Sequence, residues 1–209
     1  MEKQSTKVKM CGMMRPEDIK AANDVKPDFV GFIFAENRKR TVSSDAAAGM
    51  RSLLDPSIKA VGVFLNQDVH FVADTALKCR LDYIQLHGSE DEEFIRSLRD
   101  ITEVPVIKAF IIEEESTIEK ANQSTAEMIL LDSGAGSGEI FGWEILSKVT
   151  RPYFLAGGLS AENAKEAVLT LHPYALDVSS GIETNGLKDP AKMKKFMQEV
   201  SDSSKEVTP

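Results

Sequence analysis

The chain has few cysteines, histidines and tryptophans. Its 209 residues include two cysteines, three histidines and one tryptophan. Two cysteines in a chain of this length do not indicate a disulfide scaffold, so we expect Cys11 and Cys79 to be free thiols of a reduced, cytoplasmic protein. No second cysteine stands at metal-ligand spacing from Cys11, and the sequence therefore predicts no metal site.

Long apolar runs and basic clusters are also scarce. No run approaches the roughly 20 apolar residues that span a bilayer, and the opening residues do not fit a secretory signal, so we expect no membrane partner. The formal net charge is −8, and the most basic cluster is Arg38-Lys39-Arg40. This balance disfavours a nucleic-acid partner, whereas so short a cluster suits one anionic ligand group or a solvated turn.

What the chain does have is a regular alternation of β-rich and helical patterns. Eight apolar, β-rich runs recur about every 24 residues, which is the length of one βα unit. This predicts an α/β protein with a single (β/α)8 TIM barrel over residues 1–209. A doubly wound open sheet is the alternative, but no dinucleotide fingerprint follows the first run. The predicted strands are 8–11, 29–34, 60–65, 83–86, 104–110, 128–131, 153–156 and 175–178.

Helix-start signals separate these strands. Ser43 or Ser44, Asp68, Ser89 and Ser160 are side chains that commonly cap helices, and Asp189-Pro190 opens the last helix in the same way. The predicted helices are 45–54, 69–78, 90–98, 161–171 and 191–200. The polar tail, 201–209, is expected to be frayed.

Cys11 is the first candidate for chemistry. It ends the first predicted strand and precedes Gly12, after which Arg15-Pro16-Glu17-Asp18 has the features of a helix start. The carboxyl ends of barrel strands are where this fold places its chemistry. A helix N-terminus and the nearby Lys9 both lower the pKa of a thiol, so Cys11 is predicted to act as a nucleophile or general base. The alternative is a small core hydrophobe, which is how we interpret Cys79.

Two charged residues are predicted to pair beneath Cys11. If Cys11 faces into the barrel, Lys9 does too, because alternate side chains of a strand share a face. The same reasoning places Asp177 inward, on the last strand. The first and last strands of a closed barrel are neighbours, which predicts a buried Lys9–Asp177 pair. The alternative places either residue at a strand edge in water.

Asp132 ends the sixth predicted strand. A carboxylate that closes an apolar strand is poorly solvated, which predicts a raised pKa and suits a general acid. The alternative is an aspartate in a turn or helix cap. That role is less favoured because a Gly-rich loop, 134–138, follows instead of a helix.

Two further segments have the features of a phosphate site. Gly157 and Gly158 close the seventh strand, and Ser179, Ser180 and Gly181 close the eighth. The loops after strands seven and eight of this barrel commonly bind phosphate through backbone N–H groups and a helix N-terminus.

Three more side chains lie at predicted strand ends. Arg40, after strand two, could bind a carboxylate through two hydrogen bonds, although solvated loop arginines are commoner. Gln85 and His87 end strand four on one inward face. His87 could line a substrate pocket or be a hydrogen-bonded structural histidine.

Together these motifs resemble the phosphoribosylanthranilate isomerases of tryptophan biosynthesis, over about residues 7–193. The matching segments are Lys-Met-Cys-Gly at 9–12, Gly-Phe-Ile-Phe at 31–34, Val-Gly-Val-Phe at 61–64, Gln-Leu-His-Gly at 85–88, Leu-Leu-Asp at 130–132, Ala-Gly-Gly-Leu at 156–159 and Asp-Val-Ser-Ser-Gly-Ile-Glu at 177–183.

The resemblance implies an Amadori rearrangement of N-(5′-phosphoribosyl)anthranilate without a cofactor. We expect the chain to act as a monomer or homodimer. It implies that Asp132 is the general acid that protonates the ribose ring oxygen, and that Cys11 is the general base that removes the C2′ proton. Arg40 matches the family arginine that contacts the anthranilate moiety. Glu139 and Gly142 depart from the family pattern, which commonly has a basic and an acidic residue there, and Thr41 stands where an aromatic is frequent.

Two alternatives fit part of the sequence. An isomerase of histidine biosynthesis performs the same rearrangement on a similar barrel, but it uses carboxylates at the ends of strands one and five, where this chain has Cys11 and Lys108-Ala109-Phe110. A barrel that only binds a phosphorylated metabolite would not need both Cys11 and Asp132.

Overall fold

Eight parallel strands form a closed barrel in the computed structural model, which describes residues 5–134 and 143–206. Neighbouring strands in the chain are neighbours in the sheet, and the last strand pairs with the first. The predicted barrel is therefore confirmed. The strands are Lys7–Cys11 (β1), Phe29–Ile33 (β2), Lys59–Phe64 (β3), Tyr83–Leu86 (β4), Val106–Ile111 (β5), Met128–Asp132 (β6), Tyr153–Ala156 (β7) and Ala175–Val178 (β8).

Helices connect the strands and surround the barrel. A 3-10 helix, Trp143–Lys148, precedes β7, and a shorter one, Ser180–Ile182, follows β8. A two-stranded hairpin of Glu183–Thr184 (β9) and Leu187–Lys188 (β10) comes next. The α-helices are Pro16–Val25 (α1), Ser44–Leu53 (α2), Val69–Lys78 (α3), Glu92–Arg99 (α4), Glu115–Gln123 (α5), Ala164–Leu171 (α6) and Pro190–Glu206 (α7).

The alternation of side chains along each strand decides what occupies the barrel interior. A buried apolar cluster that includes Phe29, Val61, Leu130 and Phe154 is formed by one face of the strands. Because side chains alternate with period two, the same face carries Cys11, Val63 and Asp132 at the carboxyl ends. The opposite face packs against the helices in the larger apolar core. The lower interior is thus mainly apolar, with buried Lys9, in register with Phe29, as an exception, and the other polar groups lie toward the upper end.

The turn after β1 is fixed by a buried carboxylate. Asp18 accepts hydrogen bonds from the backbone N–H of Met14 and Arg15 and from the Arg15 guanidinium. Arg15 is the N-cap of α1 and Pro16 its first residue. This confirms the predicted strand-to-helix transition and holds the segment that follows Cys11.

Several predicted boundaries were wrong. The expected frayed tail is helical through Glu206, and Ser203 is buried; residues 207–209 lie outside the described chain. Asp91, not Ser89, caps α4, because the Glu90 side chain is turned inward to pair with Lys108. Asn163 precedes α6 instead of Ser160. β5 begins at Val106, since a proline before it has no N–H for the sheet.

Candidate active site

A cavity of about 760 Å³ opens at the carboxyl ends of the barrel strands. All but one of the side chains and glycines predicted for the site line it: Cys11, Arg40, Gln85, His87, Asp132, Gly157, Gly158, Ser179 and Ser180. Gly181 is the exception, because it packs against the loop after β7. Apolar side chains, among them Ile33, Leu65 and Ile111, form part of the wall.

Cys11 is a free thiol buried at the end of β1. Gly31 on the neighbouring strand makes room for it, since a Cβ at Gly31 would lie 2.7 Å from Cys11 Sγ. Burial raises the pKa of Cys11, and this effect outweighs the opposing effects of the Lys9 and Lys188 charges. The expected lowering of the thiol pKa was therefore wrong, because the strand end is more desolvated than its sequence neighbours indicate.

The predicted Lys9–Asp177 pair is confirmed. Lys9 Nζ lies 2.8 Å from Asp177 Oδ2, and β1 and β8 set the two residues side by side. Lys9 is fully buried; burial alone would lower its pKa, but Asp177 and Cys11 raise it overall. Asp177 also lines the cavity, and its Oδ1 has no hydrogen-bond partner among the described residues.

Asp132 carries a charge that its surroundings stabilise. Burial raises its pKa, but hydrogen bonds from His87 and from the Gly134 N–H, which lies 2.9 Å from Oδ1, lower it by more. The net pKa lies below the ordinary range, so the predicted rise was wrong. The larger of these two causes is His87, which follows β4 and which the sequence near Asp132 does not reveal; the Gly134 N–H adds a local contribution.

Gln85, His87 and Asp132 form one chain of hydrogen bonds. Gln85 Nε2 can only donate, and it lies 2.8 Å from His87 Nδ1. The proton of neutral His87 is then on Nε2, which lies 3.3 Å from Asp132 Oδ2. Gln85 thus selects the histidine tautomer that donates to the candidate acid.

Arg40 makes a contact that the sequence interpretation missed. Its Nε and Nη2 lie 2.6 and 2.7 Å from the two carboxylate oxygens of Glu183. Lys188 Nζ lies 2.7 Å from the same carboxylate. The sequence carries a signal for the hairpin that holds Glu183 and Lys188, because the Asn-Gly pair at 185–186 predicts a tight turn directly after the last strand, but it carries none for the contact with Arg40.

The loops after β7 and β8 meet beside Arg40. Gly157 and Gly158 have φ values of 99° and 59°, which glycine adopts readily. A Cβ at Gly181 would lie 2.0 Å from the carbonyl oxygen of Leu159, so glycine lets the two loops touch. Gly181 therefore shapes the predicted phosphate site without lining the cavity.

Of the three positions that depart from the family pattern, the structure describes only Thr41. Glu139 and Gly142 lie outside the described residues. Thr41 pairs with Ile33 in an isolated β-bridge, and its hydroxyl bonds the carbonyl of Ala35. Across 5–134 and 143–206, no cluster of three or more potential metal ligands occurs, and no helix has the length and hydropathy needed to cross a membrane.

The fold and the cavity define a (β/α)8-barrel protein whose site is built from the loops at the carboxyl ends of its strands. The family model for N-(5′-phosphoribosyl)anthranilate isomerase matches residues 8–199. The N-(5′-phosphoribosyl)anthranilate isomerase of Thermoanaerobacter sp. (strain X514) is 41% identical over 201 residues, which cover 93% of this chain and 97% of that relative. The chain therefore belongs to the N-(5′-phosphoribosyl)anthranilate isomerase family.

Solved structures agree with this assignment. A phosphoribosyl anthranilate isomerase from Thermus thermophilus superposes with a TM-score of 0.85 at 34% identity, covering 94% of this chain and 99% of the other. A phosphoribosyl anthranilate isomerase in complex with reduced 1-(o-carboxyphenylamino)-1-deoxyribulose 5-phosphate gives 0.82 at 32% identity, with the same coverage. A monomeric form of the dimeric enzyme from Thermotoga maritima gives 0.81 at 31% identity, covering 94% and 98%.

Proposed function

We propose that this chain converts N-(5′-phosphoribosyl)anthranilate to 1-(2-carboxyphenylamino)-1-deoxyribulose 5-phosphate, the isomerase step of tryptophan biosynthesis, without a cofactor. One observation carries the proposal: a single cavity is lined by the thiol of Cys11, the carboxylate of Asp132, the guanidinium of Arg40 and the loops after β7 and β8. These are, in the same order, the base, the acid, the carboxylate site and the phosphate site that this substrate requires.

In the first step, Asp132 protonates the ribose ring oxygen. The bond from C1′ to that oxygen breaks, and the nitrogen lone pair forms a protonated imine. Asp132 is ionised in the ligand-free protein because its pKa is low. The bound substrate brings two anionic groups and displaces water, and both changes favour the protonated carboxyl that the step needs.

In the second step, the Cys11 thiolate removes the proton from C2′ and the enolamine forms. The positive imine acidifies C2′ and also favours the thiolate, which offsets the raised pKa of the buried thiol. The enolamine gains a proton at C1′ and loses the hydroxyl proton at C2′ as the ketone forms. No atom is gained or lost overall, as an isomerisation requires.

The remaining groups bind the substrate. The loops that contain Gly157, Gly158, Ser179, Ser180 and Gly181 take the phosphate, Arg40 takes the anthranilate carboxylate, and Gln85 and His87 line the site. The apolar wall suits the aromatic ring. The chain acts as a monomer or homodimer of one (β/α)8 domain, and its two free thiols suit the cytoplasm.

Loss of anthranilate-type fluorescence, when purified protein is mixed with phosphoribosylanthranilate, tests the activity. We expect Cys11→Ser and Asp132→Asn each to lower turnover by at least about 100-fold. Both variants should still bind the reduced product analogue. Cys79→Ser is the matched control, because Cys79 is a buried thiol whose Sγ bonds the carbonyl of Ser44, away from the cavity. Normal turnover in both site variants would contradict the assigned roles, and an inactive wild-type protein would contradict the activity.

A further inference from the structure

The hairpin of β9 and β10 lies beside the cavity, and the proposed chemistry gives it no part. Asn185 and Gly186 form its turn with φ values of 54° and 78°. Positive φ at both positions is what a two-residue type I′ turn requires, and Asn-Gly adopts it readily. The antiparallel register sets Lys188 directly opposite Glu183. A tight turn thus holds two opposite charges together.

Glu183 binds one edge of the Arg40 guanidinium. Its two carboxylate oxygens accept from Nε and Nη2, which form the side edge of the planar group. Nη1 has no hydrogen-bond partner within the described residues, so the outer edge of the group, Nη1 with the second Nη2 hydrogen, stays available. Because Arg40 lines the cavity, that edge can bind an incoming carboxylate through two hydrogen bonds.

Lys188 connects this ion pair to the loop after β8. Its side chain is fully buried, and Nζ lies 2.7 Å from Glu183 Oε1, 2.9 Å from the carbonyl of Ser179 and 3.4 Å from Ser179 Oγ. Ser179 Oγ in turn donates to the carbonyl of Cys11 at 3.0 Å. The three acceptors account for the three ammonium hydrogens.

The charges of this group also favour an anion. Arg40 and Lys188 are cations and Glu183 is an anion, so the three together carry one net positive charge. Without Lys188, the carboxylate of Glu183 would neutralise Arg40, and a second carboxylate would meet no net attraction. Glu183 accounts for the direction in which Arg40 points, and Lys188 accounts for the positive charge that Arg40 still presents.

We propose that Glu183 and Lys188, which we call the hairpin clamp, are positioning residues that hold Arg40 for the carboxylate of the substrate and so determine specificity for a carboxylated aryl group. The proposal rests on the proposed function, since anthranilate supplies that carboxylate. The clamp touches Arg40 and not the reacting atoms, so it should govern substrate binding more than turnover of bound substrate.

Calorimetric binding of two ligands tests the clamp. One is reduced 1-(o-carboxyphenylamino)-1-deoxyribulose 5-phosphate, and the other is the same compound without the carboxyl group. Lys188→Met is expected to weaken binding of the carboxylated ligand by about 10- to 100-fold, because the group loses its net positive charge. Glu183→Gln adds positive charge but frees the Arg40 side edge. We expect the lost direction of Arg40 to outweigh the added charge and to weaken binding by about 10-fold. The affinity for the ligand without the carboxyl group should change by less than about threefold. KM should rise with the loss of binding, while kcat changes little.

Lys192→Met is the matched control. Lys192 Nζ also donates a hydrogen bond to Glu183, but to its backbone carbonyl and from an exposed position. The substitution should therefore leave the affinities for both ligands unchanged. Equal weakening of the two ligands by the clamp variants, or no weakening, would overturn the proposal. If the clamp variants do not fold, the solvent-exchange rate of the Arg40 Nε–H in the ligand-free wild-type protein is measured instead. Slow exchange supports the clamp, and fast exchange overturns it. If the wild-type protein shows no turnover but still discriminates between the two ligands, the proposed activity is overturned and the positioning role of the clamp is not.

Discussion

Cys11 and Asp132 have pKa values shifted in opposite directions, and this difference predicts the pH dependence of the reaction. Burial raises the pKa of Cys11, whereas His87 and Gly134 hold that of Asp132 low despite burial. The proposed mechanism needs the Cys11 thiolate and the protonated Asp132 carboxyl together. Between the two pKa values, each gain in thiolate with rising pH is matched by a loss of protonated carboxyl, so the competent fraction stays constant.

We therefore expect kcat/KM to be level from about pH 7, where the substrate phosphate is already dianionic. Because the pKa of Cys11 is raised, kcat/KM should fall only above the ordinary thiol pKa of about 8.5. Once Cys11 is fully ionised no further thiolate forms, while the protonated fraction of Asp132 keeps decreasing. Measurement of kcat/KM across this range in buffers of constant ionic strength checks the prediction. A decline that begins near neutrality would contradict it.

Gln85 is predicted to act through the tautomer of His87. Gln85→Leu removes the donor to Nδ1, so the ring no longer keeps its proton on Nε2, and Asp132 loses a hydrogen bond. That bond favours the carboxylate over the acid, so its loss should raise the pKa of Asp132. Because one such bond contributes about 0.5–1.5 kcal/mol, the protonated fraction of Asp132, and with it kcat/KM, should rise by about 2- to 10-fold. Long-range ¹H–¹⁵N NMR of the imidazole should show the Nε2–H form in the wild type. The opposite tautomer in the wild type would contradict the assignment.

The positions of single residues were more predictable than their chemistry. A strand end is a local pattern, so Cys11 and Asp132 could be placed from sequence. Their pKa directions could not be, because they depend on burial and on partners from other strands. The Arg40–Glu183 contact joins residues 143 positions apart, and nothing near either residue indicates the other.

At the scale of elements, the loops after β7 and β8 depend on one glycine. Gly181→Ala would place a Cβ 2.0 Å from a backbone oxygen of Leu159, which flexible side chains cannot relieve. The loops must separate, so we expect a loss of about 1–3 kcal/mol in the free energy of unfolding. KM should rise, because the two loops form the proposed phosphate site.

Gly49→Ala is the matched control for this change. Gly49 lies within α2, and no atom stands within 4 Å of an added Cβ. Alanine there should be neutral or stabilising by up to about 1 kcal/mol, because it favours the helix. Urea unfolding and steady-state kinetics compare the two proteins. Equal behaviour of both variants would show that the contact between the loops has no effect.

Element boundaries followed tertiary contacts more than local signals. Ser89 is a good capping residue, but the buried Glu90–Lys108 pair keeps that segment out of the helix, and Asp91 caps α4 instead. The polar sequence of the chain end indicated fraying. α7 nevertheless continues to Glu206, with Val200 and Ser203 buried on one face. Packing of this kind depends on elements far away in the sequence.

At the scale of the whole molecule, barrel closure follows from the repeated pattern. Eight β-rich runs with helices between them give parallel neighbours, and a sheet of eight such strands closes when the first meets the last. That closure made the Lys9–Asp177 pair predictable, since both residues were expected to face inward. The pair joins β1 to β8 at the floor of the cavity, which Asp177 lines.

This buried ion pair predicts a non-additive effect on stability. Lys9→Met leaves the Asp177 carboxylate without its buried partner, which should cost about 3–5 kcal/mol in the free energy of unfolding. Asp177→Leu should cost a similar amount by stranding the Lys9 ammonium. The double variant replaces both charges with apolar groups in an already apolar interior, so its stability should return close to that of the wild type. Urea unfolding of the four proteins measures the coupling. Costs that simply add would show that the two charges do not depend on one another, and the seam would then be held by its backbone hydrogen bonds and apolar packing alone.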